Sequence, residues 1–517
     1  MYRFLHLATL SLVSIQSLVL AAPLTTPRYF QKHPITRRDL SPLTVQQELG
    51  PLLSNGTTIF GPDDPRFDEA TKRYNINSRP VVEVVVVPAK ESDVSIIVKY
   101  CDENSIEFLA HNRGHGLTTS IRSFKGLEIH LENLVELTIA KDGKSVKVGG
   151  GLSNGDVAQT LWPKGYVTTT GTQACVGVMG AGLGGGHGIH EGQYGLVTDN
   201  FIHMNVVLAN GTAIGVNATS NKDLWWAMRG AGHNFGIVTS ATMKLYPKKT
   251  NSWHYHTYTW SGDKLEAVLE AANAFHTSYK GTTPPLMGFS AGQYAVNPAV
   301  SETEVSLYWT FGYSGPAAEA ERLLAGFNAI EAVNETMGET TWPGLGDAIT
   351  PGGEAQGCIP QRITLSSTIR GNYNITAQRQ ILDLYNRMIT EYPELASSEI
   401  YNEGYATKGV EDVPADSTAY PHRHGKHVIF MMVRLAEGST LQGVADEWVK
   451  ATWDLWLEGS GPNAKPTTYV NYAIGADWET QQSTYGYEPW RLAKLRDLKT
   501  KYDPDNKFNH FVPIIVS

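Results

Sequence analysis

Gly171-Thr172-Gln173-Ala174-Cys175-Val176-Gly177-Val178-Met179-Gly180-Ala181-Gly182-Leu183-Gly184-Gly185-Gly186 is the densest glycine tract of the chain. Glycines let a backbone approach a pyrophosphate closely and aim its N–H groups at the anion. Gly180, Gly182 and Gly185 satisfy G-x-G-x-x-G. A dinucleotide fingerprint also needs a clear strand before it, a helix after it and an acid about 20 residues on. Gly165 to Thr170 is a marginal strand, and His187-Gly188 interrupts any following helix, so a Rossmann domain is set aside. The tract reads as another kind of anion-cradling loop, with a purely structural array of turns as the alternative.

Upstream, Asn112-Arg113-Gly114-His115-Gly116 sets a histidine between two glycines, which leaves its imidazole accessible to a ligand. A loop histidine bonded to backbone is the commoner use of a single His. Before it, the β-branched run 80–88 reads as a buried strand, 91–104 as a helix and 106–110 as a second strand. Such alternation indicates an α+β or α/β unit. Beyond Tyr246-Pro247 the chain turns richer in aromatics, with helical patterns at 264–279, 317–331 and 376–392 and alternating strands at 304–309 and 428–433. These predict a second domain, a sheet covered by helices. A last helix, 488–502, is closed by Asp503-Pro504-Asp505-Asn506.

Glycine supplies 50 of 517 residues, above the usual ~7 %. Only 18 % of residues are charged and 41 % are hydrophobic, which excludes a disordered chain and a coiled coil. The net charge of −9 argues against a nucleic-acid partner. Residues 1–21, with Arg3, an apolar Leu5–Leu20 run and Ala21-Ala22, read as a secretory signal peptide. Arg37-Arg38 reads either as a propeptide cleavage site or as part of a polar linker. No later run approaches the ~20 apolar residues of a membrane span. Asn55, Asn210, Asn217, Asn334 and Asn374 head glycosylation sequons. Cys101, Cys175 and Cys358 allow at most one disulfide.

Four stretches in order carry a resemblance: Arg79-Pro80 through His115-Gly116; Gly171–Gly186 with 194–200; Leu224 to Thr239, which includes Gly236, Ile237 and Val238; and Tyr469-Val470-Asn471-Tyr472 with 502–508. The chain resembles FAD-linked oxidases of the berberine-bridge-enzyme type, within the vanillyl-alcohol-oxidase / p-cresol-methylhydroxylase superfamily. The resemblance is strong over 75–250 and 465–517 and weaker between. It implies an α+β fold: a two-part FAD-binding domain of p-cresol-methylhydroxylase type and a substrate domain with an antiparallel sheet covered by helices. The expected division is a signal peptide (1–21), an N-terminal segment (22–74), the FAD-binding domain (75–250), the substrate domain (251–465) and a return to the FAD-binding domain (466–517).

The resemblance implies FAD held covalently through His115. The cysteine that many members use as a second attachment is replaced by Gln173, and Cys175, two residues on, should not superpose on it. A single histidyl attachment is therefore expected. The cofactor would be framed by Arg113, Gly114, Gly116, Gly171, Thr172, Gln173, Val176, Gly177, Gly180, Gly182, Gly186, Gly236, Ile237, Val238 and Asn471. Val176 falls where the family gates oxygen, and valine there goes with O₂ as electron acceptor.

Substrate oxidation needs a base. A tyrosine, ordinarily near pKa 10, must be lowered by a cation or helix end to serve. Tyr469 is the first candidate and Tyr472 the second, since on a strand Tyr469 and Asn471 share a face and Tyr472 points opposite. Packing aromatics are the alternative. Some family members use an acid before a Pro-His-Arg segment; here Asp416 and Glu411 precede Pro421-His422-Arg423. His422, His424 and His427, and His187 with His190, invite a metal reading, but the Pro-His-Arg segment already accounts for the first group, and no metal is expected. The expectation is a secreted, glycosylated, monomeric oxidase that turns O₂ into H₂O₂ while oxidising a small aromatic or alkaloid-like metabolite. An oligosaccharide oxidase acting at the anomeric carbon and a flavin-retaining non-redox cyclase or binding protein are the alternatives.

Overall fold

A computed structural model describes residues 40–350 and 354–516. The signal peptide and the Arg37-Arg38 site lie outside the described residues. Three sheets organise the rest. The first holds β1 (Thr58–Phe60), β2 (Val81–Val87), β3 (Phe108–His111) and β4 (Lys125–His130) in the order β1-β2-β4-β3. β2, β4 and β3 run parallel, and the helix Glu91–Glu103 makes the crossover that parallel pairing requires. Val84 and Val86 pack on Val94, Ile97 and Val98 of that helix, all fully buried. Periodicity therefore placed these elements to within two residues.

The second sheet is antiparallel: β5 (Leu137–Ile139), β6 (Ser145–Gly149), β8 (Phe201–Val207), β9 (Ala213–Asn217) and β10 (Ile237–Lys244), in the order β5-β6-β10-β8-β9. A two-residue pair, β7 (Tyr166–Val167) with β11 (Tyr246–Pro247), closes its margin. The glycine tract has only β7 before it and breaks after the short helix Val178–Leu183. No dinucleotide βαβ unit forms there. Within residues 40–74, β1 pairs with β2, and Val45 and Leu49 enter the same core as that sheet.

The third sheet has seven antiparallel strands: β12 (Trp253–Ser261), β13 (Met287–Asn297), β14 (Ser301–Tyr313), β15 (Asn334–Thr340), β16 (Arg362–Arg370), β17 (Glu399–Tyr405) and β18 (His427–Leu435). Their order is β15-β12-β14-β13-β17-β18-β16. Helices Leu265–Ser278, Ile375–Glu391 and Gln442–Gly459 cover one face, with a core of Trp260, Trp309, Tyr385 and Trp448. The expected helix at 317–331 is broken into Ala317–Leu323 and Ala325–Asn328. The opposite face meets the first two sheets, and the C-terminal segment returns to them: Leu492, Leu495 and Val512 join their core. Among the described residues no helix is long and apolar enough to cross a membrane.

Candidate active site

A cleft of about 770 Å³ opens between the first two sheets, lined by Tyr74, Asn112, Arg113, His115, Ser153, Gly155 and Cys175. His115 lies flat on Tyr74, ring centroids 4.4 Å apart. Burial pushes its imidazole down to about 4. At neutral pH it is therefore an uncharged nitrogen nucleophile. Gly114, at φ +68°, turns the loop where a side chain would meet the Lys72 carbonyl. Arg113 is held outward by Asp156 at 2.8 Å.

The tract 171–177 is stitched beneath helix Asn154–Leu161. Asn154 N–H donates to the Val176 carbonyl, Gly155 N–H to the Ala174 carbonyl, and the Asn154 amide to the Gln173 carbonyl, each at 2.9 Å. Gly171 N–H donates back to Asn154 Oδ1 at 3.1 Å. A side chain at Gly177 would overlap Asn112, one at Gly184 would overlap Asn471, and one at Gly116 would touch Phe511. Gly182 and Gly186 pack against Val197, and Gly236 against Val206, where Ile237 and Val238 begin β10. Gly180 faces open space, so nothing there requires glycine. Two buried carbonyl oxygens aimed among these loops, Asn112 Oδ1 and Asn471 Oδ1, have no partner among the described residues. A cleft with glycine-rich loops in its wall, orphan polar atoms and a neutral imidazole fits FAD.

Cys175 is joined to Cys358 in a disulfide, with its sulfur 3.2 Å from His115 Nε2. The one bridge that three cysteines allow thus straps residue 358 of the second domain over the histidine. A bridged Cys175 is no second attachment point. Cys101 is buried and unbridged.

Across from the glycine tract lies a buried polar cluster. Tyr469 and Tyr472 both enter it, rings 5.0 Å apart. The expectation that they diverge fails because 470–472 is a 3₁₀ turn, not a strand; in such a turn residues i and i+3 eclipse. The Tyr469 oxygen accepts from Gly186 N–H at 3.0 Å and from the Asn471 amide at 2.7 Å. Burial nevertheless pushes the phenols of Tyr405, Tyr420, Tyr469 and Tyr472 up, the reverse of what a tyrosine base needs.

The missed residue is Glu403. Strand β17 alternates: Ile400 packs into the helix-side core, while Tyr401, Glu403 and Tyr405 face the other domain. Tyr472 donates to Glu403 Oε2 at 3.0 Å. Burial pushes the Glu403 carboxyl up to about 7, against the lowering effect of that hydrogen bond. A second carboxylate, the fully buried Glu191, faces His187 Nδ1 at 3.0 Å, and His187 Nε2 meets the Tyr420 hydroxyl at 2.8 Å. Burial alone would lower His187, but the Glu191 charge raises it overall. Tyr405 reaches Thr172 at 3.0 Å, so the cluster touches the glycine tract. Asp416 does not enter it: its side chain is exposed, and only its carbonyl is engaged, by Trp226. Glu411 is held by Thr407 and Lys426 at the rim.

The matched stretches build this wall. Gly230, at φ +128°, kinks the chain so that the Arg229 carbonyl accepts from Tyr420 N–H at 3.0 Å; a side chain on Gly230 would overlap Tyr420. Arg423 grips Asp199 through both oxygens, at 2.7 and 2.9 Å, with both side chains buried. The Pro-His-Arg segment thus serves as an anchor and does not deliver an acid.

The family model described as an FAD binding domain matches residues 82–217. The chain is 51 % identical to the FAD-linked oxidoreductase iacH of Pestalotiopsis fici over 97 % of this chain and 96 % of that protein. Among solved structures it resembles Physcomitrella patens BBE-like 1 (22 % identity, 92 % and 99 % coverage, TM-score 0.75). It also resembles a xylooligosaccharide oxidase from Myceliophthora thermophila C1 (19 % identity, 92 % and 99 % coverage, TM-score 0.76). With the cleft, the glycine cradle and the two-domain α+β fold, these likenesses settle kinship: the chain shares its fold with Physcomitrella patens BBE-like 1 and belongs to the FAD-linked oxidoreductases.

Proposed function

We propose that this oxidoreductase is a secreted, monomeric oxidase that holds FAD through a single bond to His115 and oxidises a small aromatic metabolite at a C–OH or C–NH group. One observation carries the reading: a half-buried carboxyl, Glu403, hydrogen-bonded by Tyr472, stands in a wall of tyrosines. Bound FAD supplies the two-electron acceptor. The residues do the rest. Glu403 takes the proton from the substrate hydroxyl or amine, for which a base poised near working pH is best. Tyr472 donates to Glu403 and fixes its orientation. Tyr401, Tyr405 and Tyr420 offer ring faces that suit a planar aromatic substrate.

His115, stacked on Tyr74, is uncharged and so able to bond the cofactor. Val176 supports O₂ as acceptor, with H₂O₂ as product. Exposed Asn55, Asn210, Asn334 and Asn374 are compatible with glycans, whereas Asn217 is half-buried. The test is an anaerobic screen of aromatic alcohols, amines and alkaloid-like compounds alongside xylo- and chito-oligosaccharides. Bleaching of the flavin by an aromatic compound, with recovery and H₂O₂ in air, is expected. Bleaching by oligosaccharides alone would overturn the substrate class, and bleaching by nothing would overturn the oxidase.

A further inference from the structure

On the helix-covered face of the seven-stranded sheet, away from Glu403, two histidines converge on one carboxylate. His254 and His256 are two apart on β12 and so share a face. His254 Nε2 lies 2.6 Å and His256 Nδ1 2.9 Å from the same oxygen, Oε1, of Glu321 on helix Ala317–Leu323. The ligand atoms of the three residues all lie within 4.8 Å of one another. Both imidazoles are buried and Glu321 is 28 % exposed. The other His256 nitrogen, Nε2, faces Glu335 of β15 at 3.2 Å.

The hydrogen bonds define the chemistry. A neutral imidazole has one N–H and one lone pair. His256 faces a carboxylate from each nitrogen, so a neutral ring leaves one carboxylate against a lone pair. If Nε2–H donates to Glu335, the Nδ1 lone pair and the Glu321 oxygen point at each other, and a cation between them resolves the conflict. A histidine that donates one N–H to a carboxylate while its other nitrogen enters a cluster has the usual arrangement of a metal ligand and its orienting partner. Tyr258 donates to Asn328 Oδ1, which turns the Asn328 amide toward Glu321.

A second histidine–glutamate group, His111, Glu128 and His130, makes the contrast clear. There the Arg73 guanidinium already sits on Glu128. Among the described residues Glu321 has no lysine or arginine partner. The sequence reading expected no metal because it weighed only His187 with His190 and His422 to His427; Glu321 stands 65 residues after His256.

We propose that His254, His256 and Glu321 bind a divalent transition ion of the Zn²⁺ class, with Glu335 orienting His256. Two imidazoles and a carboxylate suit such an ion. Bonds of about 2.0–2.1 Å at tetrahedral angles set ligands roughly 3.3 Å apart. The present 2.6 and 2.9 Å separations must open by a few tenths of an ångström. Glu321, on a helix of seven residues and partly exposed, has room to move. Its exposed edge leaves the fourth position to water. The ion clasps β12, the edge strand β15 and the helix Ala317–Leu323. It lies on the face opposite the catalytic cluster, so its role is to hold the domain together.

The test uses the full-length flavoprotein. After dialysis against Zn²⁺ and then buffer, metal analysis should find about one equivalent per chain, and Glu321→Gln should keep less than a tenth of that. EDTA should lower the Tm of the wild type by at least about 2 °C and leave that of Glu321→Gln unmoved. Glu335→Gln, at a half-exposed position where folding is safe, should weaken Zn²⁺ at least tenfold in competition with a chromophoric chelator. A wild type that retains no metal and ignores EDTA overturns the proposal and leaves an imidazolium hydrogen-bonded between two carboxylates. Equal retention by wild type and Glu321→Gln overturns it also.

Discussion

Replacing Glu403 with Gln tests the proposed chemistry most directly, because one carboxyl governs two pH dependences. Its pKa is raised from 4.5 to about 7 by burial. In wild type the ionised fraction should rise roughly tenfold between pH 6 and 8, and the rate of anaerobic flavin reduction at low substrate should follow. Glutamine keeps the shape and removes the base. Loss of a positioned base costs about 10²–10⁴ in rate, or roughly 3–5 kcal/mol of barrier. Stability should move the other way. Between pH 4.5 and 7 the folded state holds the Glu403 proton that the unfolded chain has released, so wild-type stability falls as pH rises through that window. The loss is about 3 kcal/mol by pH 8, and Glu403→Gln should escape it. The assays are stopped-flow flavin bleaching and denaturant midpoints, each at pH 5.5 and 8. If Glu403→Gln reduces flavin at more than a third of the wild-type rate with an unchanged pH profile, Glu403 is not the base. If its stability gain is equal at both pH values, burial does not tune the carboxyl.

Other outcomes follow from the same geometry. His115→Ala should release all flavin on acid precipitation, whereas Cys175→Ala should keep it bound; the opposite pattern would make Cys175 the anchor. Cys358→Ser opens a loop of 183 residues' separation, and should lower stability by about 2–5 kcal/mol, read as a denaturant midpoint; an unchanged midpoint would mean that the bridge does not form in solution. Arg423→Ala leaves Asp199 buried and unpaired, with a loss of about 3–5 kcal/mol expected; retention of wild-type Tm would show that the pair is not the anchor of the Tyr420 loop. Gly230→Ala should reduce substrate turnover more than flavin content, since it displaces Tyr420 and not the cleft. Equal losses would refute that assignment.

What the sequence disclosed and what it hid follow from range. Val81–Val87 and Glu91–Glu103 declare themselves because a strand and a helix write their burial into neighbouring residues. The glycine tract and His115 declare themselves because backbone proximity and an accessible imidazole need rare local composition. Tyr469 and Tyr472 were found but misread: only the 3₁₀ turn, which short segments do not advertise, brings both rings to one side. Glu403 was hidden because nothing local marks it. The alternation Ile400, Asn402 against Tyr401, Glu403, Tyr405 is visible in sequence, yet which face meets the cofactor domain depends on seven strands ordered across 253–435. Asp416 was favoured by closeness to Pro421-His422-Arg423, whereas Arg423 turns inward to Asp199 and leaves Asp416 outside.

The two carboxylates of the cluster, the fully buried Glu191 and the half-buried Glu403, show why only one suits proton transfer. Charges in a low-dielectric site survive by pairing, and an unpaired acid keeps its proton until higher pH. Glu191 has a partner on each side: His187 Nδ1 at 3.0 Å and the Gly188 N–H at 2.8 Å. It raises the imidazole of His187, whose Nε2 meets the Tyr420 hydroxyl at 2.8 Å. Among the described residues Glu403 has only the Tyr472 hydroxyl as a hydrogen-bond donor, and His187 acts on it at longer range. Two environments push the same side chain toward two roles, a standing charge and a poised base. Removing that carboxylate should therefore alter the base: Glu191→Gln takes away a charge that raises Glu403 and weakens the His187 charge that lowers it. The first change lowers Glu403 and the second raises it, so the shift in the pH profile should be small. A large shift in either direction would show that Glu403 is governed by one of these charges and not by its burial.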